Sequence, residues 1–284
     1  SSRLGMLMVG CRTWIRPVHA RRAAVVRALG AEYDNVSAAC LDLTDPPDDI
    51  AALLNLVLDE LKHMDRHDPK WTVLDTSKRL DRSLEEVALP AMGLAPGRFG
   101  PFAIDSNNTY VITGGTSGLG LAVARRLVER GARRLALLGR RPMPGVDLWD
   151  DLDPNHPRAG SVKVLRELRD LGAYITVHSG QLDDSVSVAR FLSHCTGEGS
   201  RIAGVVHCAG DVPRTITPFV HQSMDDVRRA WRGKDSGWDA LARCLEEQLP
   251  DFVVLFSSVS AAFPVLSAGW ATYAGSNAYL DAEA

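Results

Sequence analysis

Near the carboxyl end of this 284-residue chain, Ser257 and Ser258 close the apolar run Val253-Val254-Leu255-Phe256, and Tyr273 and Asn277 follow with the spacing of one helical turn. A carbonyl that accepts hydride develops negative charge on its oxygen. That charge calls for a proton donor and for hydrogen-bond donors aimed at the oxygen, and tyrosine and serine supply both. Free tyrosine ionises near pH ~10, and a nearby ammonium lowers that value by favouring the phenolate. Lys234, in Arg232-Gly233-Lys234-Asp235, is the candidate ammonium. The Asn277 amide shares a helix face with Tyr273 and is suited to hold that lysine or a water.

A second constellation lies upstream. Thr113-Gly114-Gly115-Thr116-Ser117-Gly118-Leu119-Gly120 falls between a predicted strand and a predicted helix. Glycines there let the backbone turn sharply and approach a pyrophosphate, while the helix amino terminus offers free N–H groups and the positive end of its dipole. The run lacks the Gly-Lys-Ser/Thr of a Walker loop, and its T-G-x-x-x-G-x-G spacing points to short-chain rather than medium-chain reductases. The next strand ends in Leu138-Gly139-Arg140-Arg141. An acidic residue at that point binds the ribose 2′-hydroxyl of NAD, whereas arginine accepts a 2′-phosphate, so Arg140 and Arg141 argue for NADPH, with Arg140 favoured.

These residues need a scaffold, and the hydrophobic periodicity describes one. From residue 109 onward, strands (109–113, 135–138, 174–178, 202–207, 252–256) alternate with helices (118–131, 161–172, 184–195, 224–231, 238–245), the signature of a doubly wound parallel sheet. The stretch 141–160, with four prolines, is long for a strand-to-helix connection. Before residue 104 an incomplete α/β unit is expected: strands 4–9, 36–43 and 71–74, a helix near 20–29, and a helix over 48–61 whose Ile50, Leu53, Leu54, Val57, Leu58 and Leu61 form one apolar stripe. Three prolines and three glycines in 89–108 mark a linker, which divides the chain into domains 1–104 and 105–284.

Composition removes several alternatives. An apolar fraction of 45% with a formal charge of -3 excludes a basic nucleic-acid or membrane-surface binder. No apolar run reaches the roughly 18–20 residues of a membrane span, and there is no signal-peptide layout, so a cytoplasmic location is expected. The five cysteines lack a C-x-x-C pair, and no metal is expected; His63 and His67, at i and i+4, stand among charged neighbours. The chain opens at Ser1 without methionine and stops at Ala284 inside a predicted helix, as an excised fragment would.

The order Lys234, Ser258, Tyr273, x-x-x, Asn277, with the glycine loop and Val206-His207-Cys208-Ala209-Gly210, resembles the ketoreductase domains of type I polyketide synthases. Ordinary short-chain reductases carry Tyr-x-x-x-Lys; in the resembled family the Lys and Asn positions are exchanged, as they are here. The resemblance implies a truncated Rossmann-like structural subdomain over 1–104, followed by a Rossmann-like catalytic subdomain of short-chain reductase type that normally continues past residue 284. It implies that Tyr273 protonates the carbonyl oxygen, Ser258 hydrogen-bonds it, Lys234 tunes Tyr273 and Asn277 supports Lys234. The implied substrate is a β-ketoacyl thioester on the phosphopantetheine arm of an acyl carrier protein, with neighbouring synthase domains as further partners. The interval from Ser258 to Tyr273 is two residues longer than usual, so Ser260 competes with Ser258. The resemblance also implies cofactor contacts from Gln181, which stands where the family shows an aspartate that meets the adenine, from Leu182, and from Cys208, Ala209 and Gly210, while Asp-Val-Pro-Arg after Gly210 lacks the Leu-Asp-Asp signature of one stereochemical class. A catalytically silent structural module is the rival reading; a sugar-nucleotide epimerase would keep lysine four residues after the tyrosine.

Overall fold

The computed structural model describes residues 4–64, 71–75, 78–81, 103–196, 200–212, 215–246 and 248–284. Most of the predicted linker, and His67, lie outside them. The chain forms two compact units: one combines Ser1–Val87, Val212–Trp231 and Ser257–Ala284; the other combines Ala88–Asp211 and Arg232–Phe256. Among the described residues no helix is long and apolar enough to cross a membrane.

In the first unit, β1 (Leu4–Cys11), β2 (Val36–Leu43), β3 (Trp71–Asp75) and β4 (Lys78–Asp81) form one sheet in that order. The first three strands are parallel, and β4 closes the edge antiparallel to β3. Helix α1 (Pro17–Glu32) starts on a proline, whose missing N–H costs nothing in the first turn. Helix α2 (Ile50–His63) is capped by the Asp49 carboxylate, which accepts from the N–H groups of Ala51 and Ala52 at 3.1 and 3.2 Å. Its predicted apolar stripe exists, but Ile50, Leu54, Leu58 and Leu61 face outward. The residue of α2 that is buried is Glu60, whose carboxylate pairs with both terminal nitrogens of Arg79 on β4 at 2.5 and 3.0 Å.

The rest of the unit comes from late in the chain: α6 (Met224–Trp231), the short α8 (Val259–Ala262) and α9 (Ala271–Glu283). Helix α9 packs along α1 on small side chains, with Ala20, Ala24, Ala261 and Ala278 in one buried cluster. A methyl added at Gly275 would lie 2.9 Å from Val25 Cγ2 and 3.1 Å from Arg21 Cγ, so the two backbones approach as closely as their residues allow.

The second unit is a five-stranded parallel sheet in the order β7-β6-β5-β8-β9. Its strands are β5 (Thr109–Thr113), β6 (Arg134–Gly139), β7 (Tyr174–Ser179), β8 (Ile202–His207) and β9 (Phe252–Leu255). Tyr-Val-Ile, Leu-Ala-Leu-Leu and Ile-Ala-Gly-Val-Val are buried in full, as strands covered on both faces must be. Helices α3 (Gly118–Glu129), α4 (Ala159–Asp170), α5 (Ser185–Cys195) and α7 (Gly237–Leu245) connect them. The strand order reverses beside β5, the point at which sheets of this kind bind ligands. The fold class expected from the sequence is therefore present: a doubly wound Rossmann-like sheet and a smaller, mixed sheet built from the amino-terminal residues.

Candidate active site

The glycine loop occupies the turn between β5 and α3. Gly114 and Gly118 have φ of 68° and 48°, left-handed values that glycine adopts without steric cost. Two contacts explain the tightness of the turn. A Cβ on Gly120 would lie 2.2 Å from the Gly114 carbonyl oxygen, and one on Gly114 would lie 3.1 Å from the Ala209 nitrogen and the Cys208 carbonyl. At Gly118 the added atom would meet nothing within 4 Å. Thr113, Gly115, Thr116 and Gly120 are buried, while Ser117, Gly118 and Leu119 form the exposed rim. No side chain caps the first turn of α3, whose N–H groups point to that rim. A pyrophosphate fits this arrangement: open space beside Gly118, first-turn N–H groups without a side-chain cap among the described residues, and the positive end of a helix in one place.

Thr113 anchors the loop to β8. Its hydroxyl accepts from the Ala209 N–H at 3.2 Å and donates to His207 Nδ1 at 2.8 Å, leaving Nε2–H of that ring to donate to the Lys234 carbonyl at 3.2 Å. His207 is fully buried, and burial, with the Lys234 charge second, pushes its pKa down to about 3. The ring is neutral at physiological pH and orders its neighbours. Burial raises the Cys208 thiol to about 11, against a smaller lowering by Lys234.

Lys234 sits in a single π-helical turn, Arg232–Ser236, a feature that often marks functional positions. It is 5% exposed and its Nζ donates to the Phe256 carbonyl at 2.6 Å, at the end of β9. Gly210 makes room for it: a methyl there would lie 2.7 Å from Lys234 Cε. Arg140, predicted to meet a 2′-phosphate, forms a two-pronged ion pair with Asp211 at 2.5 and 2.8 Å. Gln181 is exposed and Leu182 is buried.

Ser258, Tyr273 and Asn277 belong to the other unit. Ser258 caps α8; its oxygen accepts from the Ser260 N–H at 3.3 Å and the Ser260 hydroxyl at 3.1 Å. Ser260 is buried and spends its proton on Ser258, so Ser258 keeps its own O–H to give. Tyr273 is half-buried on α9, edge-on to Trp270 with ring centroids 6.0 Å apart. Asn277 is fully buried: Nδ2 donates to the Tyr273 carbonyl at 2.8 Å, and Oδ1 has no partner among the described residues. The Ser257 hydroxyl donates to the Asn277 carbonyl at 3.2 Å.

Two further residues near the site had no signal in the sequence. Glu32, the last residue of α1, accepts from the N–H groups of Phe219 at 2.7 Å and Gly269 at 2.8 Å, and so ties down the approach to α9. Arg158, at the start of α4, is buried beside the end of β6. A lone glutamate and a lone arginine announce nothing until the fold brings distant backbone to them. Among the metal candidates, His63 Nδ1 bonds the Asp59 carbonyl at 2.8 Å.

A family model described as KR domain matches residues 108–284. The chain is 38% identical over 180 residues to polyketide synthase PksL of Bacillus subtilis, covering 63% of this chain and 4% of that protein. Over 271 residues it is 32% identical to polyketide synthase GfsA of Streptomyces halstedii, covering 94% of this chain and 3% of that protein. It therefore spans a few hundredths of the length of these relatives. A solved structure titled as A-type ketoreductases from a modular polyketide synthase superposes with a TM-score of 0.76 at 26% identity, over 99% of this chain and 55% of that one.

Proposed function

The chain belongs to the ketoreductase (KR) domain family of polyketide synthases, and from that premise we propose that it reduces a β-ketoacyl thioester, carried on an acyl carrier protein, to the β-hydroxyacyl thioester. NADPH, when bound, supplies the hydride that reaches the carbonyl carbon. The glycine loop and the first turn of α3 hold its pyrophosphate, and the arginines after β6 hold its 2′-phosphate. Tyr273 gives its phenolic proton to the carbonyl oxygen as negative charge develops there, and the Ser258 hydroxyl donates to the same oxygen. Lys234 favours charge on the phenol as the proton leaves. The buried Oδ1 of Asn277, without a partner among the described residues, is an acceptor suited to the ammonium or to a relaying water. Relatives of this chain are large synthases, so neighbouring domains and a carrier protein are the proposed partners.

The observation that carries this reading is the complete Lys234, Ser258, Tyr273, Asn277 set, in the family's order, within a chain whose family match spans more than half its length. The test is loss of NADPH absorbance with a 3-oxoacyl thioester. Turnover is expected, and Tyr273→Phe should lower it by at least about 100-fold, the scale of a lost general acid. A protein that binds NADPH and leaves the ketone untouched is instead a silent structural module.

A further inference from the structure

Three guanidinium groups gather where β6 ends, and the described residues neutralise one of them. Arg140 is paired with Asp211 through both of its terminal nitrogens. Arg141 is exposed, and neither it nor Arg158 has a carboxylate partner among the described residues. Arg158 is the unusual one. It is only 9% exposed, its Nε donates to the Pro142 carbonyl at 3.3 Å, and its Nη2 is shut off from water with no acceptor among the described residues. Burial, and then the charge of Arg141, holds its pKa below the ordinary arginine value.

A shielded cation with a like charge beside it and no anion is costly, and folded chains carry such a group only where something offsets it. The loop that delivers it is firmly built. Trp149 is buried with its indole N–H on the Pro144 carbonyl at 3.0 Å, and Asp150 pairs with Arg166 and Arg169 on α4 at 3.0 and 2.8 Å. The twenty residues after Arg140 thus fold back to set Arg158 beside Pro142, immediately after Arg141. Two cations without a carboxylate partner among the described residues, beside the carboxyl end of β6, suit a dianion.

We propose that Arg158 is a specificity-determining residue of the cofactor seat: together with Arg141 it holds the 2′-phosphate of NADPH, while Arg140, already engaged by Asp211, contributes less. The inference rests on the NADPH reading above and extends it to a residue supplied by the long loop.

Titration calorimetry with 2′,5′-ADP and with 5′-AMP tests it without turnover, since the two nucleotides differ in the 2′-phosphate. The unaltered protein should prefer 2′,5′-ADP. Arg158→Gln should weaken that nucleotide by about 10-fold or more, the scale of one charge-assisted hydrogen bond, and leave 5′-AMP within about twofold. Arg158→Lys should recover part of the loss, and Arg140→Gln should cost less than Arg158→Gln. Equal weakening of both nucleotides, or of neither, overturns the assignment while the NADPH reading stands. An unaltered protein that does not distinguish the nucleotides overturns both.

Discussion

The neutral imidazole of His207 makes the stability of this protein depend on pH in a window where few other groups act. Its pKa is about 3 in the fold and about 6.5 in an unfolded chain. Between those values the unfolded state binds a proton that the native state refuses, so stability falls as pH falls. With about 1.36 kcal/mol per pH unit below the unfolded value, the loss between pH 7 and pH 5 is about 2 kcal/mol. Carboxylates held low by arginines, such as Glu167 beside Arg125 and Asp150 beside Arg169, lose their contribution below that range, near and under their ordinary values of about 4. The perturbation is His207→Gln, which can still bond Thr113 or Lys234 and cannot be protonated. At pH 7 the variant should be less stable by about 1–3 kcal/mol, for imperfect replacement of two buried bonds. Urea unfolding at pH 7, 6 and 5 should show that deficit shrinking by about 2 kcal/mol. A deficit that stays constant with pH refutes a neutral, proton-refusing ring.

Two other substitutions, one with a control, probe what surrounds Lys234 and the approach to Tyr273. Gly210→Ala places a methyl 2.7 Å from Lys234 Cε and displaces Nζ from the Phe256 carbonyl; because a side-chain end can yield, stability should change by less than about 1 kcal/mol, while turnover in the NADPH assay falls by about 10- to 100-fold. Gly233→Ala, with only ordinary contacts near 3.6 Å, is its control. Glu32→Ala removes the acceptor of the Phe219 and Gly269 N–H groups and should cost about 2–4 kcal/mol; hydrogen exchange should quicken at those two amides while the middle of α1 stays protected.

Much of this molecule can be read locally. The two central strands of the second unit, β5 and β8, are buried throughout and match their predicted bounds of 109–113 and 202–207, and the other strands lie within one residue of theirs. The glycine loop is legible because a left-handed turn admits few residue types. Tyr273 and Asn277 fall on one helix, as their spacing requires. What escaped was set at long range. The stripe on α2 told which residues share a face and not which face is covered, because burial there is decided by Glu60 meeting Arg79 across the chain. β4 is a short, charged edge strand whose pairing with β3 has no pattern of its own. Glu32 and Arg158 meet partners in backbone and loop segments that periodicity cannot place.

The alanine seam between α1 and α9 bears on how such proteins can be recombined. Helix α9, which carries Tyr273, rests on α1, more than two hundred residues earlier in the chain. A crossover anywhere in the intervening sequence gives the offspring an α1 from one parent and an α9 from the other. Side chains this small leave no slack for a larger substitute from either side. Ala20, Ala24, Gly275 and Ala278 should therefore be inherited as a set, and exchanges should succeed when both helices come from the same parent.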